Sequence, residues 1–147
     1  MSRIQRSALV HYSPREMYDL VNDVESYPDF LPWCRSSALL SSSDTEMEAS
    51  IEMAMGVLNK TFTTHNRMRP GERIELALVD GPFRKLQGYW QFDKLKVDKA
   101  CKVSLDLEFE FDSAMMSIAA KPVFTQIANS LVDAFVRRAV DVYGERV

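Results

Sequence analysis

The stretch Cys101-Lys102-Val103-Ser104-Leu105-Asp106-Leu107-Glu108-Phe109-Glu110-Phe111-Asp112 alternates apolar and polar side chains without a break. Successive side chains of a strand point to opposite faces. The period therefore predicts an antiparallel strand with Cys101, Val103, Leu105, Leu107, Phe109 and Phe111 inward and a wet face outward. Working back along the chain, the same alternation recurs at Met47, Ala49, Ile51, Met53 and Met55, at Ile74, Leu76 and Leu78, and at Leu86, Gly88, Trp90 and Phe92. In Thr61–Arg67, an inward Phe62 and Met68 would leave His65 on the polar side. Turn residues part these runs: Gly56 to Asn59, Arg69-Pro70-Gly71-Glu72, Asp80-Gly81-Pro82 and the charged stretch Asp93 to Lys99. Ser41-Ser42-Ser43 reads as a further turn. With Arg3–Tyr12 counted, the expectation is a meander of about six or seven strands.

Two helices flank this run. Ser13-Pro14-Arg15-Glu16 has the form of a capping box with proline at the first helical position. A short helix should start at Pro14 and carry Met17, Tyr18, Leu20 and Val21 inward. Two prolines in Tyr27-Pro28-Asp29-Phe30-Leu31-Pro32-Trp33-Cys34 forbid a long helix, yet the aromatic content demands burial, so a helical turn and a packed loop are expected. Pro122 suits the first position of a longer helix of about 22 residues, about 33 Å long, with Met115 and Met116 just before it. Its apolar stripe comprises Phe124, Ile127, Ala128, Leu131, Phe135, Ala139 and Val142, widened by Val132 and Val136, with Gln126, Asn129, Asp133 and Arg137 opposite. The fold class is α+β: a curved antiparallel sheet around a long C-terminal helix. Curved sheet and straight cylinder do not match along their length, so a cavity between them is expected.

The 147 residues are 46% hydrophobic and 27% charged. One domain over residues 1–147 is the expectation, burying about two-thirds of its unfolded surface. Eighteen Lys and Arg against twenty-one Asp and Glu give a net charge of −3, the wrong sign for a domain that grips DNA or RNA backbone. Cys34 and Cys101 make neither a disulfide framework nor a four-cysteine zinc site. No run of 18 apolar residues occurs, and Met1–Tyr12 alternates instead of forming a signal-peptide core. A soluble cytoplasmic protein is expected.

The residues assemble no catalytic motif. His11, His65, Cys34 and Cys101 lack metal-ligand spacing, no G-x-S-x-G elbow is present, and the five glycines are isolated. Asp106, Glu108 and Glu110 read as a solvated strand face. The inward faces read as almost wholly apolar. Methionines 47, 53, 55 and 68 share inward phases with aromatics: they fill gaps in a core, or they line a pocket that adapts to greasy ligands. Arg138 falls within the helix's apolar stripe. It meets a polar ligand head or a buried carboxylate, or it snorkels out near the helix end. The basic residues Arg84, Lys85, Lys94, Lys96, Lys99, Lys102, Arg137 and Arg138 form either a solvated surface or local patches for an RNA or acidic protein.

Three segments carry a resemblance that spans essentially the whole chain. They are Val24–Cys34 (VESYPDFLPWC), Gly81–Phe92 (GPFRKLQGYWQF) and the final helix with Leu131-Val132-Asp133-Ala134-Phe135, Arg138-Ala139 and Val142-Tyr143-Gly144. They resemble the coenzyme-Q-binding branch of the START-like superfamily, also labelled polyketide cyclase or lipid transport. The resemblance implies a helix-grip fold and a hydrophobic tunnel between sheet and long helix. It implies ubiquinone or another lipid as ligand, and no required cofactor. For the bacterial subgroup it implies association with the large ribosomal subunit, blocking subunit joining as the toxin of a toxin–antitoxin pair. A respiratory ubiquinone-binding role and an aromatase or cyclase are the alternatives, and no catalytic residue carries over. Inward candidates for the ligand are Trp33, Met53, Met55, Phe62, Trp90, Phe92, Leu105, Leu107, Phe109, Leu131 and Phe135, with Arg138 near a polar end. Most of these serve equally as plain core.

Overall fold

Seven strands pair antiparallel in one sheet, in the order β1-β7-β6-β5-β4-β3-β2. The computed structural model describes residues 2–97 and 99–146. Met1, at the head of the alternating N-terminal stretch, and Asp98, within the expected charged turn, lie outside the described residues. The strands are β1 (Ser2–Val10), β2 (Cys34–Ser42), β3 (Glu46–Met55), β4 (Leu58–Arg69), β5 (Arg73–Asp80), β6 (Phe83–Lys94) and β7 (Cys101–Phe111). Helix α1 (Pro14–Asn22) and a 3₁₀ turn (Val24–Asp29) connect β1 to β2, and α2 (Ala114–Tyr143) ends the chain.

Every inward residue expected on β7 is buried, from Cys101 to Phe111. Its outer face departs at Asp106. That carboxylate is buried beneath Arg3, whose Nε and Nη2 donate to it at 3.1 and 2.7 Å, and Gln5, which donates at 3.1 Å. The capping box of α1 forms as expected: the Glu16 amide donates to Ser13 Oγ and the Ser13 amide to Glu16 Oε1. Met17, Tyr18, Leu20 and Val21 are all buried. Between β6 and β7 the backbones close so tightly that a Cβ on Gly88 would lie 2.1 Å from Asp106 O. Only glycine permits that approach, which lies within the curl of the sheet.

Further expectations need correction: Leu58 and Asn59, expected in a turn, begin β4. Strand β1 ends at Val10, not Tyr12. Ser41 and Ser42 are not turn residues; they pair with Glu48 and Met47 at the end of β2. Helix α2 begins eight residues before Pro122, capped by Ser113, whose side chain accepts from the Met116 amide. It has 30 residues, about 45 Å at 1.5 Å per residue. Met115 and Met116 thus lie in its first turn. Pro122 removes the hydrogen bond to the Ile118 carbonyl, and Ile118 is 81% exposed, so water can replace it. Val142, assigned to the inward stripe, is 49% exposed, whereas Tyr143 beside it packs on Tyr12.

The two chain ends meet. Tyr12 Oη donates to Gly144 O at 2.6 Å, Tyr143 Oη to Glu16 O at 2.9 Å, and Arg146 forks onto both Glu16 oxygens at 2.7 and 2.8 Å. The Arg146 hydrogen bonds, with the Ser13 amide, lower the Glu16 pKa to about 2. This latch ties α1 to the tail of α2 and so fixes α2 over the concave face of the sheet.

Candidate functional site

The candidate site comprises two hollows beside α2 that share a wall. The inner one, about 90 Å³, is enclosed by the sheet, the 3₁₀ turn and α2. The outer one is a groove of about 500 Å³ between the Phe30–Trp33 loop and the exposed flank of α2. Trp33 and Ile127 line both, so these two side chains form the partition between them.

Six of the expected ligand residues line the inner cavity: Trp33, Phe62, Trp90, Leu107, Leu131 and Phe135. Met55 and Arg138, with Trp33, line the outer groove. Met53, Phe92, Leu105 and Phe109 line neither and are buried core. Phe135 is the hub of the wall. Its ring centroid lies 5.5 Å from Tyr27, 5.3 Å from Phe30 and 5.3 Å from Trp90, joining turn, loop, helix and sheet in edge-on contacts. The Arg138 guanidinium sits 4.8 Å from the centroid of Phe30. Arg138 is half-buried and covers the aromatic rim of the groove.

The expectation that the inward faces are almost wholly apolar is wrong on β4. Thr64 and Asn66 are buried at 6% and 5% exposure and line the inner cavity, with Thr64 Oγ1 donating to Asn66 Oδ1 at 2.8 Å. Their register neighbours are apolar: Ala49 and Leu78 beside Thr64, Met47 and Leu76 beside Asn66. The signal was present in the alternation. If Phe62 and Met68 point inward, so must the two residues between them of the same parity. His65 faces out, as expected, with Nε2 3.3 Å from Glu46 Oε1.

Among the described residues, the cavity wall carries no Asp, Glu, His, Lys, Arg or Cys. Its one titratable group, the Tyr27 phenol, donates to the Val21 carbonyl, and burial pushes its pKa well above the usual range. The thiols stand apart from it; burial raises Cys34 to about 11 and Cys101 to about 12, so neither is a thiolate at neutral pH. Among the described residues no three His, Cys, Asp or Glu side chains converge on a point. On the surface, Arg84 and Lys85 face Glu110 and Glu108 at 3.9 and 3.4 Å, which offsets the charge of that basic stretch. No described helix is long and apolar enough to cross a membrane.

Comparison with known proteins agrees with this architecture. The sequence matches the family described as polyketide cyclase / dehydrase and lipid transport over residues 10–136. It is 48% identical over 143 residues to the ribosome association toxin RatA of Pseudomonas aeruginosa, covering 97% of this chain and 99% of that one. It is 27% identical over 143 residues to the mitochondrial coenzyme Q-binding protein COQ10 homolog B of Xenopus laevis, covering 95% of this chain and 59% of that one. Among solved structures, the Zhui aromatase/cyclase from Streptomyces sp. R1128 superposes with a TM-score of 0.83 at 13% identity, over 99% of both chains. A START superfamily protein from Mycobacterium smegmatis gives 0.70 at 18% identity, over 92% of this chain and 97% of that one. At such identities these two likenesses concern the fold alone. The family match over residues 10–136 and the 48% identity over nearly the whole of both chains lead to one conclusion: the chain belongs to the polyketide cyclase / dehydrase and lipid transport family.

Proposed function

We propose that this protein is a non-enzymatic cytoplasmic START-like domain that holds an apolar ligand, ubiquinone-like or lipid, between its sheet and α2. In this reading it associates with the large ribosomal subunit, blocks subunit joining and is the toxin of a toxin–antitoxin pair. The observation that carries the proposal is the 48% likeness, over nearly the whole of both chains, to a protein named as a ribosome association toxin. The uncharged wall of the inner cavity supports an apolar ligand, and its one titratable group, the Tyr27 phenol, is tied up on the Val21 carbonyl rather than free for a cyclisation reaction. Fold likeness to an aromatase does not replace that missing chemistry.

Sedimentation through sucrose with purified ribosomal subunits tests the ribosomal half. The expected result is co-sedimentation with large subunits and a reduced yield of joined ribosomes, both weakening as salt rises. Protein that stays at the top of the gradient at low salt overturns it. A respiratory ubiquinone-binding role is the second reading, supported by the likeness to the coenzyme Q-binding homologue.

A further inference from the structure

Burying a polar pair in an apolar wall costs free energy unless every donor and acceptor finds a partner. Thr64 and Asn66 meet this requirement only in part. The one bond between them uses the Thr64 hydroxyl hydrogen and one lone pair of Asn66 Oδ1. The amide nitrogen of Asn66 donates to no acceptor among the described residues. Valine and leucine at 64 and 66 would suit Ala49, Leu76 and Leu78 beside them better. Among the described residues, the cavity thus has an unsatisfied amide donor, no fixed charge and otherwise apolar walls.

We propose that Thr64 and Asn66 form a polar subsite that binds the carbonyl oxygen of a neutral, otherwise apolar ligand. Asn66 supplies the amide N–H, and Thr64 orients that amide by donating to its oxygen. Carboxylates and amines are disfavoured here, because neither charge finds a counter-charge on the wall. A pure hydrocarbon leaves the amide donor dry and unpaired. The subsite rests on the reading that the cavity holds an apolar ligand, and it names which part of such a molecule goes deepest. At about 90 Å³ the cavity receives a carbonyl and a few neighbouring carbons; the rest of the ligand passes the Trp33–Ile127 partition toward the outer groove.

Equilibrium dialysis with three probes of similar length tests this: decylbenzoquinone with ring carbonyls, methyl decanoate with an ester carbonyl, and decylbenzene with neither. The wild-type protein is expected to bind at least one carbonyl probe about tenfold more tightly than decylbenzene, a factor that corresponds to about 1.4 kcal/mol. The carbonyl probe that wins distinguishes a ring ketone from an ester lipid as the source. Asn66→Leu should abolish the preference while retaining decylbenzene binding, and Thr64→Val should reduce it about threefold. Thr64→Val changes least in shape and serves if Asn66→Leu does not fold, as judged by its thermal melt. Equal binding of all three probes by the wild type, or an undiminished preference in a folded variant, overturns the subsite and leaves the apolar cavity standing. Failure of all three probes to bind overturns the cavity reading and the subsite with it.

Discussion

The two stretches of the interface between α2 and the sheet are packed in opposite ways. Toward the start of β6 and the end of β7, Phe83, Phe109, Phe111 and Phe124 fill the space, with centroids 4.7 to 5.0 Å apart in the closest pairs. Further along the same helix, Ala49, Ala128 and Leu131 face the inner cavity and Thr64 and Asn66 place polar atoms in its wall. Phe124 borders both regions. The same helix on the same sheet can therefore be packed to ordinary protein density, and one stretch is not. Small and polar side chains, not the architecture alone, keep the middle open.

That contrast can be broken at either side. Phe109→Ala removes a ring that is 1% exposed at the centre of the filled end. It should cost about 4 kcal/mol in denaturant unfolding, since the neighbouring rings cannot collapse into the space. Ligand content should be unchanged, because Phe109 does not line the cavity; a loss of ligand would merge the two regions into one.

The latch at the chain ends gives the next largest effect. The Glu16 pKa in the folded protein is lowered from an ordinary 4.5 to about 2. Its contribution to stability is therefore complete above about pH 4.5 and lost as pH falls toward 2. Partial exposure of the pair limits that contribution to about 2 kcal/mol. Glu16→Gln should lose this amount at pH 6 and little at pH 2.5, measured by urea unfolding at both values. An equal loss at both pH values would remove the ion pair as the cause.

Leu131→Trp adds bulk to the cavity from the half-buried face of α2. It should cost about 1 kcal/mol and leave a cooperative melt, but abolish ligand retention. A ligand content equal to wild type would take Leu131 out of the site. The smallest effect is expected at the rim. Arg138→Ala removes a guanidinium 4.8 Å from the centroid of Phe30, worth about 0.5 kcal/mol. A shift of several kcal/mol would mean that Arg138 holds the loop and not merely covers it.

Much of this was legible along the chain where the period was clean. Strand β7, the capped α1 and the turns at Arg69–Glu72 and Asp80–Pro82 follow from alternation and turn chemistry. Strand β2 escaped notice because its register shifts between Cys34 and Ser36 and again between Leu39 and Ser41, and a bulge erases the alternation that marks a strand. The start of α2 was misplaced because Pro122 imitates a first-turn proline, while Ser113, the true cap, precedes turns that largely face water. In the site, the aromatic lining was readable from parity, and so was the inward direction of Thr64 and Asn66. Their burial was not, since it depends on β3, β5 and α2 closing over them. Which of the inward residues border space and which are solid core is equally a property of the assembled layers.

The central claim is that the unfilled middle of this interface is a ligand site. Native mass spectrometry of the protein purified from bacterial lysate, with solvent extraction of whatever it carries, tests it most directly. The account predicts a near-stoichiometric neutral, carbonyl-bearing apolar molecule on the wild type and none on Leu131→Trp. An empty wild type, or the same molecule retained in equal amount by Leu131→Trp, would contradict it.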